Sequence, residues 1–178
     1  MTNNIIQTFP DQKNIPQKIA DYYFDLKWTN EDGSLQLRYE GEENGYFTIT
    51  LYNGGINIPA SLEDPIIATE FENCVNAIFD MEAEKCYQNV NLLVNEPFVF
   101  ENEKEPKFFS AVFNYDRCFE NGECINEISI LLLRSDNGFF NKLRFSVSSD
   151  TSDESLDKMK DFLIDWLKYV SIIGDTIN

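Results

Sequence analysis

The sequence predicts an α+β protein, an antiparallel sheet of about seven strands with two helices packed on one face. Three observations lead there. Seven short stretches read as strands, most of them alternating apolar and polar residues with the period of two of half-buried strands, and two longer stretches repeat apolar residues at helical spacing. Turn sequences, among them Asp32-Gly33, Asn121-Gly122 and Asn137-Gly138, separate the strand-like stretches, and these dipeptides readily take the positive φ angles that hairpins need.

Residues 1–18 are polar, contain Pro10 and Pro16 and show no steady period, so they read as a flexible N-terminal arm. Residues 19–178 read as a single domain. With 15 Phe, 8 Tyr and 2 Trp among its 178 residues, the chain has the apolar material for a core, which disordered acidic chains lack.

The first strand is marked by Tyr22, Phe24, Leu26 and Trp28, the second by Leu35, Leu37 and Tyr39, and the third by the β-branched and aromatic run Tyr46 to Tyr52. Asp64-Pro65 then opens a helix, with Asp64 as N-cap, Pro65 in the first turn, and Glu70 and Glu72 expected near the positive end of the dipole. Its apolar stripe is Ile67, Phe71, Cys74, Val75 and Ile78, and it should end near Glu84. Four further strands follow: Val90 to Val94, Phe109 to Tyr115, Ile125 to Arg134, and Phe140 to Val147. In the last, Leu143, Phe145 and Val147 share one side and Lys142, Arg144 and Ser146 the other. Thr151 and Glu154 have capping-box spacing ahead of a closing helix that carries Leu156, Met159, Phe162, Leu163, Trp166 and Val170.

The four cysteines form no CxxC pair, which argues against thiolate zinc and thioredoxin-type chemistry. Cys118 and Cys124 flank the Asn121-Gly122 turn. In a hairpin with an odd-numbered loop they would face each other at disulfide distance, whereas a two-residue loop would put them out of register. Cys74 belongs to the helical stripe and reads as core. Cys86 stands about 18 Å from it if one straight helix spans both.

The chain carries 31 acids against 14 bases, a net charge of −17, and no histidine. Without imidazole there is no Ser-His-Asp triad, Cys-His pair or HExxH zinc site. A groove for nucleic acid needs clustered Lys and Arg, which the acid excess argues against. Paired catalytic carboxylates have no signature among so many acids, so no catalytic residues are assigned and the chain is read as a non-enzyme. Asp150, Asp153, Glu154 and Asp157 could offer oxygen ligands to calcium but lack EF-hand spacing. Helix-dipole stabilisation accounts for them, and no metal or cofactor is expected. No stretch approaches the ~20 apolar residues of a membrane span. Met1 to Pro10 lacks the basic and apolar regions of a signal peptide, which makes the expected location cytoplasmic, or periplasmic if an export signal has been removed.

The negative charge is uneven. Residues 61–100 hold eight acids and one base. A solvated face explains most such runs; the sharper expectation is a docking surface for a basic protein partner, formed by Glu70, Glu72, Asp80, Glu82 and Glu84 with the loop acids Glu101, Glu103 and Glu105.

The stretches from Ile49 to Pro59, from Asp64 to Phe71 and from Leu133 to Phe145 resemble segments of small bacterial α+β proteins, many of them exported. The element order is similar to that of PsbP-like domains, a plan shared by envelope proteins, secretion-effector chaperones and immunity proteins. The resemblance carries no functional residue. It implies a non-enzymatic binding protein of the immunity type, one that neutralises an antibacterial toxin such as a type VI effector. The alternative is a periplasmic or envelope accessory protein that binds a small ligand or metal.

Overall fold

The computed structural model describes residues 15–42, 45–151 and 154–176. Eight strands form one sheet: β1 (Lys18–Ile19), β2 (Tyr22–Thr29), β3 (Leu35–Glu40), β4 (Tyr46–Tyr52), β5 (Tyr87–Asn95), β6 (Phe109–Cys118), β7 (Cys124–Asp136) and β8 (Phe139–Ser148). Helix α1 (Pro65–Ala83) lies between β4 and β5, and α2 (Glu154–Thr176) follows β8. The spatial order is β1-β2-β3-β4-β8-β7-β6-β5, with every neighbouring pair antiparallel.

This order follows from two meanders. The first runs from β1 to β4. The chain then crosses through α1 to the far edge and returns from β5 to β8, which closes against β4. Because α1 is the crossover, it must lie across a face of the second meander.

Two expectations are corrected. The sheet has eight strands, because Lys18, expected to end the N-terminal arm, and Ile19, expected to begin the domain ahead of its first strand, pair with Tyr23 and Tyr22. The start of that pairing is anchored: Ile15 is buried, and the Tyr39 hydroxyl donates to the Pro16 carbonyl at 2.9 Å. The rest of the expected arm, residues 1–14, lies outside the described residues. The helices, expected on one face, pack on opposite faces. On β7, Ile130 and Leu132 join the core beneath α2, and the intervening Leu131 and Leu133 join the core beneath α1. Successive side chains of a strand point to opposite sides, so an unbroken apolar run is what burial on both faces requires.

The α2 core sets Met159, Phe162, Leu163, Trp166 and Val170 on Tyr22, Tyr39, Phe47 and Phe145. Phe162 stacks on Phe47 with ring centroids 3.8 Å apart, and Tyr22 meets Phe162 edge-on at 5.3 Å. The α1 core uses the expected stripe, Ile67, Phe71, Cys74, Val75 and Ile78, against Ala111, Phe113, Tyr115 and Phe140. Asp64 caps α1 as the sequence predicts, its side chain accepting from the Ile66 amide at 3.0 Å.

Gly45, leading into β4, has φ +81°, and a Cβ there would overlap the Ser146 carbonyl oxygen and stand 2.9 Å from Val147 Cβ. This close approach lets β4 lie against β8 at the junction of the two meanders.

Candidate functional site

On α1, Glu72, Asp80, Glu82 and Glu84 are exposed. Glu72, Asn76, Asp80 and Glu84 are spaced four apart and form one row along its solvent side. Glu70 does not join them. It is half-buried, accepts from the Tyr52 hydroxyl at 2.6 Å and lies 3.8 Å from Cys74 Sγ.

The expected dipole role of these acids is also corrected. The first turn of α1 holds no acid, because Glu70 and Glu72 lie beyond it, and the last turn holds no base. The carboxylates of Asp80 and Glu82, with Glu84 as C-cap, gather where the helix dipole is negative, and Asp80 and Glu84 repel at i, i+4 spacing. For Asp80 and Glu84 this arrangement works against the stability of α1, whereas Glu82 accepts from the Val90 amide at 3.2 Å.

The loop acids lie elsewhere. Glu101 is 3.5 Å from Lys160 Nζ on α2, and Glu103 pairs with Lys107 at 2.8 Å; Glu105 is exposed. Phe98, Phe100 and Phe108 of the same loop region pack into the α2 core. The sheet therefore separates the loop acids from the acidic row of α1.

Helix α1 covers only part of its face. Among the described residues, no side chain of β2 or β3 belongs to the core beneath it. The register places Tyr23, Leu26 and Trp28 of β2, Gln36, Arg38 and Glu40 of β3, and Tyr46, Thr48 and Thr50 of β4 on the uncovered half. Tyr23, Leu26 and Trp28 are 52%, 53% and 38% exposed, large apolar side chains that the fold does not bury.

Three of the four arginines meet tyrosines where this open half approaches α1. Tyr46 has Arg38 over its ring at 4.3 Å and Arg117 at 5.9 Å. Arg117 directs both Nε, at 2.9 Å, and Nη2, at 2.8 Å, to Oε1 of the buried Glu127. Glu127 Oε2 is left buried with no hydrogen-bond partner among the described residues. Burial, reinforced by the Glu127 charge, pushes the Tyr46 phenol up.

Arg144 lies over the rings of Tyr87, at 5.2 Å, and Tyr115, at 5.5 Å, which stack on one another at 4.2 Å. Its Nε donates to Ser129 Oγ and its Nη2 to the Tyr115 hydroxyl, each at 2.9 Å. Burial raises the Tyr87 phenol to about 12. The hydroxyls around Arg144 thus include one kept firmly neutral.

Cys118 and Cys124 are opposite each other across the hairpin and are joined in a disulfide, the outcome of the five-residue loop between them. Cys74 is buried in the α1 core, and desolvation holds its thiol protonated. Cys86, past the end of α1, is free and half-buried. In the acidic cluster at the start of α2, Glu154 pairs with Lys158 and Asp157 with Lys160, while Asp153 lies outside the described residues. No helix among the described residues is long and apolar enough to cross a membrane.

No family model matches the chain, and neither a curated protein nor a solved structure matches it. The arginine and tyrosine cluster was not legible in the sequence, where Lys142, Arg144 and Ser146 read as the plain polar side of β8. Ser146 is in fact buried and Arg144 half-buried, because β6 and the start of β5 bring Tyr115 and Tyr87 over them.

Proposed function

We propose that this chain is a non-catalytic binding protein of the immunity type, which neutralises a basic protein partner, a toxin of the type VI effector kind, through the solvent side of α1. The observation that carries this reading is the exposed row Glu72, Asp80 and Glu84, of which Asp80 and Glu84 crowd the dipole-negative end of a helix without a Lys or Arg. Folding gains nothing from that placement, whereas a partner's Lys and Arg side chains would relieve both the dipole and the like-charge repulsion. Such a field also accelerates encounter with a basic surface. Glu70, engaged with Tyr52, and the loop acids beyond the sheet are left outside the contact.

The test is capture of the partner from the native cell, its identification by mass spectrometry, and titration of the purified pair. Charge reversal at Glu72→Lys, Asp80→Lys and Glu84→Lys together should weaken binding by at least about a hundredfold, with a shallower dependence on salt than the parent shows. Equal reversal at Glu101, Glu103 and Glu105 should leave the affinity near the parent value. Unchanged affinity in the helix variant would remove the surface assignment.

A further inference from the structure

We propose that Arg144 is the anchor of an anion-binding site, taking a carboxylate or phosphate group at the step between α1 and the open half of the sheet.

Arg38 is bonded to Glu40 and Asp25, Arg117 to Glu127, and Arg134 to Asp136. Arg144 has no carboxylate partner among the described residues, although the chain carries 31 acids. Its bonds go to the hydroxyl oxygens of Ser129 and Tyr115, and the Tyr87 ring lies against it. A guanidinium drawn out of water normally brings a carboxylate with it, since the desolvation is otherwise uncompensated. Here the fixed charge is held by neutral hydroxyls and tyrosine rings, which orient the guanidinium without neutralising it.

Of the five N–H groups of a guanidinium, those two bonds leave three, enough for an incoming oxygen pair. The surroundings suit an anion. Lys142 lies two residues along the same face of β8, with no ion pair among the described residues and its Nζ 5.5 Å from the Tyr52 ring centroid. In the register the half-buried Thr48 stands across from Arg144 and the buried Thr50 across from Lys142, so no carboxylate faces either cation from β4. A strand advances about 7 Å per two residues, so the two cations act on one small anion within a Debye length, where their field outweighs the screened charge of the remaining surface. Arg144 and Lys142 are each half-buried, so part of each reaches solvent. The site is independent of the acidic row of α1, and neither stands or falls with the other.

The test follows the arginine Nε–H signals by NMR while inorganic phosphate, and separately N-acetylglutamate, is added at constant ionic strength. The expected result is a saturable shift of Arg144 with at least one probe, while Arg134, ion-paired on the other face, stays still. Saturation by phosphate alone points to a free phosphate ligand, and saturation by N-acetylglutamate to a carboxylate. Lys142→Gln, which removes no hydrogen bond, should weaken binding about threefold to tenfold, and Arg144→Lys, which keeps the charge but loses the fork, about tenfold or more. Equal small drifts of Arg144 and Arg134 would identify an ionic-strength effect and overturn the proposal. So would an affinity unchanged in Lys142→Gln together with a folded Arg144→Lys.

Discussion

The Tyr52 hydroxyl donates to Glu70 Oε1 at 2.6 Å and ties the end of β4 to the second turn of α1. The same hydroxyl lies 3.6 Å from Cys74 Sγ, so one phenol organises the seam where the crossover helix leaves the first meander. Tyr52→Phe removes the donor and leaves a half-buried carboxylate short of a partner. The expected cost is about 1–2 kcal/mol in urea unfolding, with partner affinity unchanged. A neutral effect on stability would show that Glu70 is as free as its neighbours on the acidic row.

Asp80 and Glu84 make the opposite prediction. Their carboxylates sit at the negative end of the α1 dipole and repel each other, so Asp80→Lys and Glu84→Lys should each raise the stability of the free protein by about 0.3–1 kcal/mol at low salt. Denaturation midpoints check this. Stability gained while partner binding is lost is the signature of acids kept for a purpose other than folding.

Alkaline pH should reveal the buried phenols. Burial raises Tyr87 from the ordinary 10.0 to about 12, and Tyr22, Tyr39, Tyr46, Tyr52 and Tyr169 are likewise pushed up, desolvation being the largest cause for each. Above pH 10 the unfolded chain releases phenolic protons that the folded chain retains. The contribution is therefore fully present below about 10 and is lost as the pH rises toward and beyond 12. Phenolate absorbance should show a small early fraction from exposed tyrosines, then a cooperative step that coincides with loss of the near-ultraviolet circular dichroism. A single smooth titration at the ordinary phenol range would contradict this burial.

Reduction of Cys118–Cys124 should have a modest effect. The bond closes a short loop, and the chain-entropy account gives about 2 kcal/mol for a closure of this size. The register around it is already set by the pairing of Arg117 with Ile125 and Asp116 with Asn126. Thermal unfolding with and without reductant measures the difference. Complete unfolding on reduction would mean that the sheet depends on the bond far more than its position implies.

Much of the fold was legible because it rests on local periodicity. Asp64 and Pro65 mark the start of α1 through capping chemistry that acts within one turn, and Ile67, Phe71, Cys74, Val75 and Ile78 are buried as their spacing requires. The hairpin at Asn121-Gly122 places Cys118 against Cys124 through loop length alone. β1 was missed because two residues carry no period of their own; only pairing with Tyr22 and Tyr23 makes Lys18 and Ile19 a strand. The run Ile130 to Leu133 held a usable signal, since four consecutive apolar residues in a strand mean burial on both faces, and this would have put the helices on opposite sides.

The sequence by itself determined nine of the ten elements described, their order, the apolar stripes of the two helices and the charge that must be solvated, because each depends on neighbours a few residues apart. The tertiary structure decided which part of the sheet each helix covers, and with it which polar residues become a site. Arg144 and Tyr115 are 29 positions apart, and Tyr52 and Glu70 are 18 apart. Only the crossover of α1 and the return of β5 to β8 bring such pairs within hydrogen-bond range, and nothing in the local pattern of either strand encodes that closure.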